Sequence, residues 1–346
     1  MKTKFISQAD LAGLVADLVG AGTKVIAPVA TRGGMSADYR SIHKLEEAAI
    51  GGPMPRRSLK EYFLPATEVL LKWKQTKDDV KLAEVPTTFP AQVILGARPC
   101  DAAGVEVLDK VMGWDYQDEL WFGRRKATTI VSLACDGFDG ACFCSAVGLS
   151  PDATKGSDVL LVPAEGGFLA ESVTAKGDAF VDGKRFGEAK GQAAADGFRK
   201  AAREKVLPNV PKLPEHFADW MAKNFEHAEF KGIAQRCNGC GACASVCPTC
   251  HCFDIVDEPE GLDCGTRRRN WDFCATCKFT LHASGHNPRG TQDERFRQRV
   301  MHKFSIYPKR FNEVLCTGCG RCVRACPAGM DLPEILGHLI PAAKSV

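Results

Sequence analysis

At 346 residues the chain is long enough for about two domains, each with its own core. Hydrophobic residues make up 45% and charged residues 25%, with a net charge of only +3, a balance that gives no electrostatic reason to expect nucleic acid. No run of about 18 apolar residues occurs, so no helical membrane span is expected.

Residues 1–20 have the look of a signal peptide only at first. Lys2 and Lys4 precede an apolar stretch, but Gln8, Asp10 and Asp17 interrupt it. Phe5, Leu11, Leu14, Val15, Leu18 and Val19 share one helical face, so an amphipathic helix is predicted. Lys24–Ala30 follows as a strand, closed by the turn Thr31-Arg-Gly-Gly34. Further apolar runs of strand length lie at 91–97, 128–135 and 158–163, while 166–174 and 179–181 suggest a hairpin or meander. Val105, Leu108, Val111 and Met112 suggest a short helix over 104–112. Residues 1–207 therefore read as a mixed α/β domain. A proline-rich linker at 208–214 follows, because proline removes a donor and biases its predecessor away from helix. Helices are predicted over 215–235, near 292–304, and over 331–340, the last with Asp331 as N-cap and Pro333 in its first turn.

The strongest signal lies in the second half. Cys237-Asn-Gly-Cys240-Gly-Ala-Cys243-Ala-Ser-Val-Cys247-Pro248 is repeated in rhythm by Cys316-Thr-Gly-Cys319-Gly-Arg-Cys322-Val-Arg-Ala-Cys326-Pro327. Two copies of C-x2-C-x2-C-x3-C-P point to a pair of [4Fe-4S] clusters. Three closely spaced thiolates wrap one cluster, and the fourth, before proline, reaches the other. This crosswise rule assigns Cys237, Cys240, Cys243 and Cys326 to one cluster, and Cys316, Cys319, Cys322 and Cys247 to its neighbour. The repeated glycines, Gly239 and Gly241 with Gly318 and Gly320, allow positive φ and let amide N–H groups point at sulfur. Zinc knuckles use isolated C-x2-C pairs and fit this rhythm poorly. The 68 residues between Cys247 and Cys316 exceed what a compact two-cluster ferredoxin needs. A mainly helical, α-helical ferredoxin-like domain is expected over 215–346, and the fold class is α+β.

The eight motif ligands leave nine of the 17 cysteines unassigned: Cys100, Cys135, Cys142, Cys144, Cys250, Cys252, Cys264, Cys274 and Cys277. Without a signal peptide, so many thiols argue for ligands in a reducing compartment rather than disulfides. Arg98-Pro-Cys100-Asp101, Cys135 and Cys142-Phe-Cys144 each sit at or beyond a predicted strand end, where α/β domains place binding groups. Three readings stand. Four of Cys100, Cys135, Cys142, Cys144, Cys250, Cys252 and Cys274 hold a third Fe–S cluster. Alternatively, Cys250, Cys252, Cys264, Cys274 and Cys277 supply a structural zinc site, or the thiols are small buried hydrophobes. His251 reads as a solvent-facing or hydrogen-bonded histidine rather than a ligand. Arg267-Arg-Arg269 and the group Arg289, Arg295, Arg297, Arg299, Lys303, Lys309 and Arg310 lack the aromatic interleaving of a nucleic-acid surface. Some are expected to offset the negative charge of a thiolate-bound cluster, some to make salt bridges and some to be merely solvated, with a partner's acidic surface a further reading. No G-x-G-x-x-G, phosphate-loop or H-E-x-x-H motif occurs, so no catalytic constellation is read.

Taken together these residues resemble a family of iron–sulfur proteins that includes the beta subunits of sulfhydrogenases and the corresponding iron–sulfur component of anaerobic sulfite reductase. The resemblance covers nearly the whole chain. It rests on Arg32-Gly-Gly34, Arg98-Pro-Cys-Asp101, Arg124-Arg125, Cys142-Phe-Cys144, Cys247-Pro-Thr-Cys-His-Cys-Phe-Asp254, Arg267-Arg-Arg-Asn-Trp271 with Cys274, and His302-Lys303. Cys264 and Cys277 fall outside the family pattern, and the other seven surplus cysteines fall inside it. The resemblance implies a cytoplasmic complex in which a flavin subunit exchanges hydride with NAD(P)H and this type of subunit relays single electrons. A terminal unit of hydrogenase, sirohaem sulfite reductase or heterodisulfide-reductase type then does the chemistry. The chain thus reads as a non-catalytic electron-transfer subunit. Its rivals are a reductase with its own flavin or substrate site in the N-terminal domain, and a regulatory module with a redox-sensing cluster.

Overall fold

A computed structural model describes residues 1–85, 87–136, 139–205 and 210–344. Its main scaffold is a seven-stranded sheet built from β1 (Thr3–Ser7), β2 (Lys24–Ala30), β3 (Ala37–Ile42), β6 (Gln92–Ala97), β7 (Thr128–Leu133), β8 (Val159–Ala164) and β9 (Gly167–Ser172). A four-stranded sheet is built from β4 (Thr67–Gln75), β5 (Val80–Glu84), β10 (Phe253–Pro259) and β11 (Cys264–Trp271). The large sheet runs β1-β9-β8-β7-β6-β2-β3, with β2, β6, β7 and β8 parallel and the flanking pairs antiparallel. The chain is therefore mixed α/β.

The parallel strands are buried on both faces, which explains their near-continuous apolar sequence. Alternate residues point to opposite sides. Ile26, Ile94 and Ile130 pack with Val105, Val107 and Leu108 of the helix Pro99–Met112. Val25, Val93, Leu95 and Val131 pack with Leu11 and Val15 of the helix Gln8–Gly20. Tyr307 and Leu315, from far along the chain, enter the first of these cores, so both halves share buried apolar surface.

Several elements differ from those expected. The N-terminal helix starts only at Gln8: residues 3–7 pair with β9 as an edge strand, and Ser7 caps the helix by accepting from the Asp10 amide at 3.0 Å. Residues 179–181 belong to the helix Ala175–Val181, nucleated by Thr174, whose side chain accepts from the Gly177 amide. The predicted helix over 215–235 is broken into Phe217–Lys223 and Glu229–Ala234. Phe217, Trp220 and Met221 cover one short axis, and Asn224 ends it by donating its amide to the carbonyls of Trp220 and Met221. Leu207, Pro208 and Asn209 of the expected linker lie outside the described residues.

The larger difference lies in the segment between the motifs. Besides the predicted helix, found as Gln292–Met301 and carried on by a π-helical turn over His302–Ile306, it contains the β10–β11 hairpin. That hairpin extends the β4–β5 pair from the first half of the chain. It is laced by Arg267 to Asp257 at 2.7 Å and Arg268 to Glu258 at 3.1 Å across the strands. Arg269 is buried against Glu68 at 2.6 Å and also pairs with Asp118, while Arg124 binds the same Glu68. The three consecutive arginines thus make salt bridges within the small sheet and to the α/β half.

Glu68 is 7% exposed and bridges two guanidinium groups. Glu68→Gln should lower stability by roughly 3–5 kcal/mol, because buried Arg269 and half-buried Arg124 lose their shared counter-charge. Chemical denaturation measures this, and a loss below about 1 kcal/mol would show the network to be solvent-screened.

Candidate metal centres

The two cysteine motifs fold alike. Gly239 and Gly241 adopt φ of +70° and +76°, and Gly318 and Gly320 adopt +62° and +70°, the left-handed turns expected from their spacing. Each motif then enters a single helical turn, Ala242–Ser245 or Arg321–Arg324, and the two turns pack on each other. The Gly318 amide donates to Cys316 Sγ at 3.4 Å, and the Met330 amide to Cys326 Sγ at 3.3 Å. No disulfide forms among the described cysteines.

Cys237, Cys240, Cys243 and Cys326 line one cavity, together with Cys322 and the guanidinium of Arg299. Cys240 is exposed, so this cavity lies near the surface. Cys247, Cys316 and Cys319 are buried. Cys247 is close enough to Cys316, Cys319 and Cys322 for its charge to raise the pKa of each, although burial is the larger cause and takes Cys316 to about 12 and Cys322 to about 11. The structure thus brings the motif cysteines close together, with Cys322 both on the first cavity and near Cys247.

Buried cations face these thiols. The Lys303 ammonium lies 3.4 Å from Cys247 Sγ and donates to Thr249 Oγ1 at 3.1 Å and the Leu315 carbonyl at 2.9 Å. Burial alone would lower its pKa, but the thiolate charges of Cys247 and Cys250 outweigh that and hold it well above the usual lysine range. Arg299 is buried too, and its Nε and Nη2 find no hydrogen-bond partner among the described residues. A guanidinium so placed, on the wall of a thiol-lined cavity, is suited to an anionic iron–sulfur core. Gln292 donates to Cys237 Sγ at 3.3 Å and is itself held by Arg295 at 2.8 Å. Lys60 sits 3.9 Å over the Trp271 ring and reaches the Ala244 carbonyl at 3.3 Å. Sequence reasoning missed Lys60: nothing in Ser58-Leu-Lys60 marks a lysine that will be buried against a motif 184 residues away.

The seven further cysteines divide. Cys100, Cys135, Cys142 and Cys144 line a second thiol cavity. Cys250 lies beside Cys247, and Cys252 beside Cys274, with Lys303 and Arg299 near both pairs. The zinc set does not assemble. Cys264 opens β11 at the turn end of the hairpin, whereas Cys252 and Cys274 flank its open base, a whole strand away. Among the described residues no three His, Cys, Asp or Glu side chains are grouped to hold one metal ion. A cubane takes its thiolates at four separate iron corners, so its ligands ring a cavity rather than meet at a point. His251 is a hydrogen-bonded histidine: Nδ1 donates to the Thr249 carbonyl at 3.0 Å, the ring lies edge-on to His302, and burial lowers its pKa to about 4.

Paired four-cysteine motifs, left-handed glycine turns and buried cations together point to an iron–sulfur protein. Residues 236–330 match the 4Fe-4S dicluster domain family. The chain is also 29% identical over 315 residues to Sulfhydrogenase 2 subunit beta of Pyrococcus furiosus, covering 87% of this chain and 88% of that protein. Both findings support an iron–sulfur electron-transfer subunit family. No helix among the described residues is long and apolar enough to cross a membrane.

Lys303→Met should lower the reduction potential of the cluster that Cys247 serves by on the order of 100 mV, the effect of one unit charge a few ångströms away at intermediate dielectric. The other cluster should shift far less. EPR-monitored redox titration measures both, and an unmoved pair would remove Lys303 from the set of tuning charges.

Proposed function

We propose that the chain is a non-catalytic relay of single electrons, with two [4Fe-4S] clusters bound crosswise. Cys237, Cys240, Cys243 and Cys326 hold one, and Cys316, Cys319, Cys322 and Cys247 hold the other. The observation that carries this reading is the cavity lined by the first three cysteines of one motif together with Cys326, and also Cys322, of the other, with buried Arg299, whose Nε and Nη2 lack partners among the described residues, on its wall. The clusters supply reversible one-electron chemistry, which splits the two-electron steps of a flavin into single transfers. The protein's part is to hold the two groups at fixed separation, exclude water from the inner one and balance their charge, with Arg299 at the first cavity and Lys303 at Cys247.

Exposed Cys240 makes the first cluster the end that meets a partner. The relationship to a sulfhydrogenase beta subunit supports work within a multi-subunit redox complex. In it a flavin subunit using NAD(P)H stands at one end, and a hydrogenase, sirohaem sulfite reductase or heterodisulfide-reductase-like unit at the other. We place the complex in the cytoplasm, in keeping with so many unoxidised thiols. On this reading residues 1–207 dock partners, 208–214 link the halves, and 215–346 form the cluster domain, with its short helices bracketing the clusters in an α-helical ferredoxin-like manner.

Crosswise binding is tested by EPR of the reduced full chain. Cys243→Ser should alter one cluster signal and Cys247→Ser the other, with the untouched signal retained in each. Loss of the same signal in both variants would sink the crosswise assignment.

A further inference from the structure

The N-terminal half carries four thiols that neither motif uses, and the fold gathers them. Cys100 follows β6 and Cys135 follows β7. These strands are parallel neighbours, so both cysteines leave the sheet at one carboxyl edge, where open α/β sheets place their ligands. The register shift between Leu95 and Ala97 bends β6 just before Arg98-Pro-Cys100 and turns that segment out of the sheet. Cys142 and Cys144 approach from the loop that follows β7. The four line a cavity of about 30 Å³, against about 20 Å³ for the cavity lined by Cys237, Cys240, Cys243 and Cys326, so the two are of one size class.

Positive charge flanks these sulfurs as it does the motif thiols. Arg98 Nη1 lies 3.6 Å from Cys135 Sγ, and Arg324 Nη2 lies 3.0 Å from Cys142 Sγ while pairing with Asp139 at 2.5 Å. The far wall is made by the second motif itself, through Gly318 and Cys319. Phe143 donates its amide to the Gly318 carbonyl at 2.8 Å, and Cys142 Sγ lies 3.9 Å from the Cys319 carbonyl. Gly318 is held so close that a Cβ there would stand 2.5 Å from Cys144 Cα. Zinc would need four sulfurs about 2.3 Å from a single point, which is not the arrangement of a thiol-ringed cavity.

We infer that Cys100, Cys135, Cys142 and Cys144 bind a further [4Fe-4S] cluster, with the second motif's loop as the wall between it and the Cys316, Cys319, Cys322 and Cys247 cluster. Each transfer moves one electron from a reduced cluster to its oxidised neighbour, with no bond made or broken. The order along the chain is then the N-terminal cluster, the buried motif cluster and the surface motif cluster, so the α/β half is part of the conducting path. The inference rests on the iron–sulfur reading of the two motifs, and its test separates the two.

Iron, acid-labile sulfide and zinc are measured on the anaerobically purified full chain and on the Cys142→Ser/Cys144→Ser double variant. The wild type should hold at least about 12 iron, and the double variant should lose about four while keeping both motif EPR signals. About 8 iron in the wild type with both motif signals present, or a double variant with undiminished iron, overturns this site alone. Zinc in place of iron throughout overturns the iron–sulfur reading itself. Should the double variant fail to fold, alkylation of the wild type decides. Cys100 and Cys144, which burial only partly covers, should resist alkylation in the iron-loaded protein and lose that protection once iron is removed. Equal labelling before and after iron removal overturns the site.

Discussion

Anionic sulfur collected away from water has to be matched by positive charge, and the architecture follows from that requirement. Lys303 and Arg299 stand on one helical stretch, running from Gln292–Met301 into the π-helical turn, and both face the motif thiols. Lys303 is surrounded by sulfur, hydroxyl and backbone carbonyl, so the thiolates themselves are the counter-charge. Lys60 repeats the arrangement from the other half of the chain, its charge spread over the Trp271 ring. Removing water from these groups is tolerable only while sulfur and cation stay together, which ties three distant segments to the same spot.

The same logic joins the two halves. Asp101, fully buried, receives Arg321 at 2.7 Å and Tyr39 at 2.7 Å, and Arg321 also donates to the Pro55 carbonyl at 2.8 Å. Arg321 is the first residue of the helical turn in the second motif, and Asp101 follows Cys100 at the edge of the sheet. One ion pair therefore clamps the second motif onto the carboxyl ends of the parallel strands. Tyr307 adds a hydrogen bond to the Val107 carbonyl at 2.5 Å, and its ring lies in the core of the α/β half. The cluster-binding region is thus packed into the sheet domain, not merely tethered to it.

The chain was legible wherever the signal was local. The buried parallel strands were visible as apolar runs, and the motif glycines as positions requiring left-handed backbone. It was opaque where pairing was non-local. β4 and β5 went unread, and β10 and β11 were hidden in a segment expected to be helical, because each hairpin completes its sheet only with the other. Which role each of Arg267-Arg-Arg269 takes was open for a related reason. A run of like charges says nothing about partners, and the acidic partners of Arg269, Glu68 and Asp118, lie more than a hundred residues away.

By itself the sequence showed which thiols stand in an iron–sulfur rhythm, since ligand spacing and glycine conformation act over a few residues. It also determined that sulfur ligands far outnumber those two motifs need. Only the tertiary structure decided how the surplus divides: Cys100, Cys135, Cys142 and Cys144 at the sheet edge, Cys250, Cys252 and Cys274 beside Lys303, and Cys264 away at the hairpin turn. The physical reason is that a thiol's role depends on which other thiols and cations share its cavity. That neighbourhood is created when strand ends, loops and helices from distant parts of the chain bury their apolar faces against one another.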